Sequence, residues 1–99
     1  MKILVLAQRR EEVSVEQMRP HFKAEVEAVW DLYARGIVRE FYTRADRGGP
    51  AILTVECETV EAAQKALAEL PLVELAMIDL DLIPLAPFSN LTQLFQTAS

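Results

Sequence analysis

The chain has 99 residues, 52% of them apolar, and a formal net charge of −5 at pH 7. This length is that of one small domain. The apolar share is high for so small a body, which suggests a second apolar surface that another subunit covers. The acidic balance, with no basic cluster beyond Arg9-Arg10, argues against nucleic acid or an anionic membrane as partners.

Cysteine and histidine each occur once, as Cys57 and His21. A single cysteine excludes an internal disulfide and a thiolate zinc cluster, and a single histidine argues against a His-based metal site or a serine-hydrolase triad. We therefore expect no metal site built on these two residue types. The run MKILVLAQRR is too short for a signal peptide, and no segment approaches the roughly 20 apolar residues of a membrane helix. These features favour a soluble, cytoplasmic protein.

The amino-terminal half predicts a strand at residues 2–8, followed by a long helix. Ser14 and Gln17 form a capping-box signature that starts a helix ending near residue 34, with Gly36 just past it. Pro20 falls on the outer side, so we expect it to bend the helix without ending it. One sector collects apolar side chains for the core, with Glu25 at its edge. The sector contains Val15, Met18, Phe22, Val26, Val29 and Tyr33.

The second half predicts a hairpin, a shorter helix and a last strand. The predicted strands are 37–45, 51–57 and 76–84, and the predicted helix is 60–69. Thr59 is typical of a helix cap and Pro71 of a helix stop. Leu91, Leu94 and Phe95 in the remaining tail are spaced like one or two amphipathic turns.

The element order βαββαβ predicts an α+β, ferredoxin-like sandwich. Short connections and right-handed crossovers give a four-stranded antiparallel sheet with both helices on one face. We assign residues 1–86 to this domain. Residues 87–99 form a tail that we expect to pack on a neighbouring subunit.

Alternation along the strands places most strand acids on the face that the helices leave uncovered. The helix-covered positions are Ile3, Val5, Ala7, Ala51, Leu53, Val55, Ile78, Leu80 and Leu82. The other face carries Glu56, Asp79 and Asp81 among aliphatic side chains, together with either Arg39 or the set Glu40, Tyr42 and Arg44. Burying unpaired carboxylates is costly. Either this face meets water, or a second copy packs sheet against sheet and encloses a partly polar chamber.

Several sequence stretches, taken in their order along the chain, resemble the muconolactone delta-isomerase family. They are Gly36 at the helix end, Arg39 early in the next strand, and Leu70-Pro71-Leu72 before a strand with Ile78-Asp79. GIVREFYTRAD and LPLVELAMIDLDLIPLAPF are similar to stretches in uncharacterised muconolactone-isomerase-like proteins. The resemblance covers roughly residues 2–86.

This resemblance implies a dimeric α+β barrel, in which two ferredoxin-like subunits pack sheet against sheet and sometimes build larger rings. The isomerase moves a double bond in a small lactone without cofactor or metal, so the resemblance implies that this chain uses no metal and no cofactor. Glu27, Arg39 and Asp79 fall where the family has an acid, an arginine and an acid.

The chain also departs from the family around that arginine. The isomerases carry tryptophans and a histidine there, whereas this chain has Val38, Glu40 and Tyr42, and Arg47-Gly48 replaces another histidine. The resemblance therefore implies the fold and leaves the specific reaction open.

Proton transfer next to a carbonyl requires a base, an acid and a group that holds the enolate charge. We predict the catalytic residues among Arg39, Asp79, Glu25 and Glu56, with a carboxylate as base and the arginine beside the oxyanion. The alternative for Asp79 and Arg39 is a structural ion pair across strands.

Substrate binding is predicted for a second set of side chains, each with an alternative. The set is Tyr42, His21, Trp30 and Asp81. His21 lies one turn before Glu25 and forms either an acid/base pair with it or a surface contact. Trp30 is either a core or interface anchor or a platform for a flat ligand. Cys57 is either a buried, inert thiol or a nucleophile.

Three functions remain open from the sequence. The first is an isomerase or cyclase that acts by proton transfer on a small lactone-like or polyketide-like compound. The second is a non-catalytic small-molecule-binding or assembly module, and the third is a small cofactor-free monooxygenase. The expected partners are a small-molecule ligand and further copies of this chain, as a homodimer or a higher homo-oligomer.

Overall fold

The computed structural model describes residues 1–96 and confirms the predicted ferredoxin-like fold. The strands are β1 (Lys2–Arg9), β2 (Val38–Tyr42), β3 (Ile52–Glu56) and β4 (Ile78–Pro84). The α-helices are α1 (Val15–Met18), α2 (Phe22–Ala34), α3 (Val60–Leu67) and α4 (Pro71–Glu74), and 3-10 segments cover Arg19–His21 and Ser89–Phe95. The antiparallel sheet has the order β2-β3-β1-β4. Within residues 1–96, every helix is too short or too polar to span a lipid bilayer.

The helical segment after β1 begins as expected and is interrupted at Pro20. The Ser14 Oγ accepts from the Gln17 amide at 3.1 Å, and the Gln17 Oε1 accepts from the Ser14 amide at 2.7 Å, completing the capping box. The expectation that Pro20 bends one continuous helix is wrong. Because proline lacks an amide hydrogen and its ring crowds the preceding turn, the chain passes through the 3-10 turn Arg19–His21 before α2 begins.

This interruption also changes which helix residues reach the core. Met18 and Leu32 are buried, with 4% and 1% of their areas exposed. Four of the apolar residues expected in the core, Val15, Phe22, Val26 and Tyr33, instead expose between 37% and 67%. A 3-10 turn has three residues per turn, so α1 and α2 do not share the continuous α-helical phase that the prediction assumed.

The face of the sheet under the helices, called the inner face, holds the core. Ile3 pairs with Val55 and Val5 with Leu53, and each of these four side chains is at most 4% exposed. Ala63 and Leu67 of α3, and Leu70 just after this helix, pack on the same cluster. The predicted alternation of faces in β1, β3 and β4 is confirmed, since Val5 and Ala7 pair with Leu82 and Leu80.

A β-bulge in β2 settles which of its residues belong to which face. Val38 pairs with Val55 and Glu40 with Thr54, so Arg39 is an extra residue between two paired positions. Phe41 then pairs with Leu53 on the inner face, and Tyr42 pairs with Ile52 on the uncovered face, called the outer face. The imperfect alternation of the sequence is therefore a bulge of one residue.

The second crossover differs from the prediction in its details. The Thr59 Oγ1 accepts from the Ala62 amide at 3.0 Å and caps α3, as expected. The helix ends at Leu67, two residues earlier than predicted. Pro71 then occupies the first position of a further short helix, α4, where its missing amide hydrogen has no cost.

Candidate functional site

A cavity of about 740 Å³ lies between α2 and the inner face of the sheet. This volume is within the range of small-molecule sites. The floor consists of Val5, Ala7, Leu53, Ile78 and Leu80. Apart from Gly49, the lining side chains are apolar, with four exceptions: Arg9, Glu25, Tyr42 and Thr43. Four polar side chains around an apolar space could orient a small ligand whose body is apolar.

Glu25 is the carboxylate in this cavity. It projects from α2, is half-buried, and its Oε1 accepts a hydrogen bond from the Leu72 amide at 2.9 Å. Leu72 is in the first turn of α4, where backbone amides lack a partner within the helix. Burial raises the pKa of Glu25 above the ordinary value for a glutamate, and the Leu72 hydrogen bond opposes this rise only in part.

Two aromatic side chains, Trp30 and Phe41, line the same cavity as Glu25. The rings of Trp30 and Tyr33 lie 5.2 Å apart between centroids, and Tyr33 meets Phe41 edge to face at 5.5 Å. Trp30 and Phe41 line the cavity, with 61% and 47% of their areas exposed. Sequence reasoning missed Phe41 because the bulge that turns it inward has no sequence signal of its own.

Arg9 and Tyr42 line the cavity, but each donates a hydrogen bond to a group outside the lining. The Arg9 Nη1 donates to the Val13 carbonyl. On the β2 side, the Tyr42 hydroxyl donates to the Glu40 Oε2 at 2.7 Å, and the Thr54 Oγ1 donates to the Glu40 Oε1 at 3.0 Å. These bonds stabilise the Glu40 carboxylate, so they lower the pKa of Glu40 and raise the pKa of Tyr42.

The structure divides the predicted site residues between two separate surfaces. Glu25, Trp30 and Tyr42 line the cavity. His21 lies in the 3-10 turn outside the lining, and Glu25 accepts its hydrogen bond from the Leu72 amide, not from His21. The remaining candidates, Arg39, Glu56, Asp79 and Asp81, lie away from the cavity lining.

On and beside the outer face, each charged candidate has its own partner or meets water. The Arg39 Nε donates to the Gly36 carbonyl at 2.7 Å, whereas Asp79 is 73% exposed and lies 3.9 Å from the Arg10 Nε. The expected alternative, an ion pair of Asp79 with Arg39, is therefore not formed in the single chain. A hydrogen bond from the amino terminus of Met1, at 2.9 Å, lowers the pKa of Glu56. A shielded chamber on this face requires a second copy and stays a prediction.

A cation site of protein ligands is absent from the described part of the chain. Within residues 1–96, histidine, cysteine, aspartate and glutamate side chains do not form a group of three or more that could hold a metal ion. Cys57 is half-buried and packs against the core cluster.

Comparison with known proteins supports the fold and nothing narrower. No protein-family model matches the chain, and no curated protein sequence matches it. A similar solved structure is 5-chloro-2-hydroxyhydroquinone dehydrochlorinase from Burkholderia phenoliruptrix, in complex with 2,5-dihydroxybenzoquinone. Its TM-score is 0.69 at 13% identity, and the alignment covers 87% of this chain and 94% of that one. The chain therefore shares the ferredoxin-like fold of this structure.

Proposed function

We propose that this chain is a small-molecule enzyme that transfers a proton on a ring compound bound in the cavity beneath α2. The observation that carries the proposal is Glu25, a half-buried carboxylate with a raised pKa inside an otherwise apolar cavity of about 740 Å³. A carboxylate in such surroundings is a stronger base than one in water, which suits it to remove a proton from carbon.

In the proposed reaction, the Glu25 carboxylate removes a proton from a carbon next to a carbonyl. The electron pair of the broken C–H bond moves toward the carbonyl oxygen and forms an enolate. Return of the proton from Glu25 to another carbon of the conjugated system moves the double bond. If a neighbouring carbon carries a leaving group, its departure with the bonding pair completes an elimination instead.

The cavity also supplies groups for binding and charge. Because Oε1 of Glu25 accepts from the Leu72 amide, Oε2 is the oxygen that can meet the substrate. The exposed face of Trp30 can stack on a flat ring. Arg9, a cation at the opening, can attract an acidic substituent or an enolate oxygen.

Two lines of support suggest the kind of compound. The similar solved structure is named as a dehydrochlorinase and holds a dihydroxybenzoquinone, which favours flat, oxygenated rings. The stretches GIVREFYTRAD and LPLVELAMIDLDLIPLAPF favour a distant place among muconolactone-isomerase-like proteins. We propose an unsaturated lactone or an oxygenated six-membered ring as substrate, converted by isomerisation or elimination.

We further propose that the chain acts as a homodimer formed through the outer face. Half-buried aliphatic side chains occupy the centre of this face, namely Leu4, Leu6, Ile52 and Ile83. Charged residues surround them. An apolar centre with a polar rim is the usual arrangement of a protein interface.

The test is hydrogen–deuterium exchange and turnover, followed by NMR, on a panel of unsaturated lactones and hydroxylated quinones. The Glu25→Gln variant should lose about 10²-fold or more of the activity of the parent. Glu27→Gln is the matched control, because Glu27 is exposed on the same helix beside Lys23, and it should leave the activity unchanged.

The same assay tests the residues of the outer face. Asp79→Asn combined with Arg39→Met should leave the activity near that of the parent if the chemistry occurs under α2. Loss of activity in this double variant, with full activity in Glu25→Gln, would overturn the proposal and move the reaction to the outer face.

A further inference from the structure

The cavity beneath α2 crosses the whole width of the sheet. Every strand contributes to its lining, with Phe41 from β2, Leu53 from β3, Val5 from β1 and Leu80 from β4. Neighbouring strands lie about 4.8 Å apart, so the three spacings from β2 to β4 make the floor about 14 Å wide. This width is greater than the length of a single six-membered ring.

Glu25 lies on the β4 side of this floor. Its Oε1 accepts from the amide of Leu72 in α4, and α4 packs on β4. Leu72 also shares a small buried cluster with Ile78 of β4. Arg9 lines the cavity in the same region, because it pairs with Ile78 in the sheet. The carboxylate and the cation of the lining therefore lie toward the same side.

The aromatic side chains lie on the β2 side. The ring centroid of Trp30 is 5.2 Å from that of Tyr33, which in turn is 5.5 Å from that of Phe41 in β2. Trp30 and Phe41 line the cavity, and so do Tyr42 and Thr43 at the end of β2. This side therefore combines aromatic surfaces, on which a flat ring can stack, with two hydroxyl-bearing side chains.

Between the two sides the floor is apolar and low. Val5 and Leu53 are 0% and 4% exposed, and Ala7 and Ala51 each add only a methyl group to the lining. These small and buried side chains leave room above β1 and β3 for the body of a ligand. That body must itself be apolar, since a polar group placed there would lose water without gaining a partner.

A single ring would use only part of this space. The volume of about 740 Å³ lies in the upper half of the range of about 300–1,000 Å³ found for sites that hold drug-sized ligands. One ring held against Glu25 would leave the apolar floor over β3 and β2 uncovered. The hydrophobic contribution of that area to binding would then be lost.

We propose that the substrate is a flat compound of two or three fused rings, with the reacting ring against Glu25 and the far ring against Trp30 and Phe41. This inference rests on the proposed function, because it takes Glu25 as the group that marks the reacting ring. Oxygen substituents at the two ends would meet Arg9 toward β4 and Thr43 toward β2. A compound with one ring would bind only weakly.

A series of probes with a hydroxyl group at each end tests the number of rings. The probes are hydroquinone, 2,6-dihydroxynaphthalene and 2,6-dihydroxyanthraquinone, and titration calorimetry in oxygen-free buffer gives the dissociation constants with the parent protein. Each added ring should lower the dissociation constant by about tenfold or more, because it covers more of the apolar floor. Equal dissociation constants across the series would overturn the proposal.

A puckered probe separates a flat site from general apolar burial. Decahydronaphthalene-2,6-diol has the carbon skeleton of 2,6-dihydroxynaphthalene, but its saturated rings are thicker and cannot stack on an aromatic side chain. It should bind severalfold more weakly than the flat compound. Binding as tight as that of 2,6-dihydroxynaphthalene would contradict the flat-ring proposal.

Ala7→Leu tests whether the ligand crosses the middle of the floor. Ala7 is on β1, between the two sides of the cavity, so the larger side chain should weaken 2,6-dihydroxyanthraquinone severalfold and leave hydroquinone unchanged. Ala62→Leu, at an exposed position of α3 outside the lining, is the matched control and should change neither. Equal loss for both probes, or loss for neither, refutes the proposal. If Ala7→Leu does not fold, Ala51→Leu replaces it with the same expected outcomes.

These binding measurements do not require proton transfer, and Glu25→Gln should preserve the order of affinities. If the affinities rise with the number of rings while Glu25→Gln keeps full activity, the fused-ring ligand stands and only the proposed base is wrong. If the affinities do not depend on the number of rings while Glu25→Gln loses activity, the fused-ring ligand is wrong and the proposed base stands.

Discussion

A carboxylate surrounded by apolar side chains resists ionisation because it loses the water that stabilises its charge. Glu25 is in this position, and the single backbone hydrogen bond from Leu72 compensates only partly. The same property that makes Glu25 a candidate base therefore reduces the stability of the fold at neutral pH. Under the proposed function, stability and activity are therefore opposed at this residue.

Glu25→Gln should stabilise the protein at high pH and not at low pH. The pKa of Glu25 is raised in the folded state, so its contribution to stability is fully present below the unfolded-state pKa, about 4.3, and is lost as pH rises to the folded value. Glutamine keeps an acceptor for the Leu72 amide. Urea midpoints of the variant should exceed those of the parent at pH 8 and match them near pH 4. A variant that is less stable at both pH values would contradict this assignment.

At the scale of the element, two helices end in the same way with different residues. After α2, Gly36 has a φ of 79°, and the Ile37 amide donates to the Leu32 carbonyl at 2.9 Å. After α4, Ala76 has a φ of 56°, and the Met77 amide donates to the Leu72 carbonyl, also at 2.9 Å. Both are Schellman motifs, but only glycine adopts this conformation without strain.

Ala76→Gly should therefore stabilise the protein, by about 0.5–1 kcal/mol, because it removes the strain of a left-handed alanine. Gly36→Ala is the reciprocal change and should destabilise by about 1 kcal/mol. Both side chains lie in open positions, with nothing within 4 Å of a Cβ added at Gly36 and an exposed Ala76. Chemical denaturation measures both differences, and equal effects of the same sign would refute the strain argument.

The elements that sequence reasoning predicted well are those in which one periodic pattern decides the structure. β1, β3 and β4 alternate between a buried and an uncovered face, so their pairing and inner face followed from the period of two. The capping signals at Ser14 and Thr59 located two helix starts. These signals are local, and the fold agrees with each of them.

The elements that were missed depend on contacts that no local pattern contains. The apolar sector of the helical segment predicted a core position for Val26. In the structure, the space between Val26 and the sheet is the cavity, so Val26 borders a cavity and is not packed in the core. The bulge at Arg39 placed Phe41 in that cavity and Tyr42 at its edge. Glu25, at the border of the apolar sector, is the sequence signal that indicated this cavity as a candidate site.

At the scale of the whole molecule, the outer face is the surface on which the oligomeric state depends. Its central side chains, Leu4, Leu6, Ile52 and Ile83, are only half-buried in the single chain, and acidic side chains lie around them. A chain of 11.1 kDa buries a limited area within itself. Covering this face with a second copy would therefore add apolar burial that the isolated fold lacks.

Leu6→Asp should convert the proposed homodimer to a monomer while the fold persists. The new carboxylate would sit at the centre of the interface beside Asp81, its cross-strand partner, and repulsion and desolvation would both oppose association. Light scattering at micromolar concentration should then give the mass of one chain, whereas the parent should give the mass of two chains or more. Gln8→Asp, on the same face but exposed at the strand end, is the control that should leave the mass unchanged. A parent of 11.1 kDa would refute the dimer.

The bulge at Arg39 has a consequence for how this protein can change in evolution. Since Val38 and Glu40 pair with adjacent residues of β3, deletion of Arg39 would bring them into regular succession and leave Phe41 pointing inward as before. A one-residue change in chain length at this point therefore does not change which side chains line the cavity. Homologous chains that differ by one residue here can keep the same wall of the cavity.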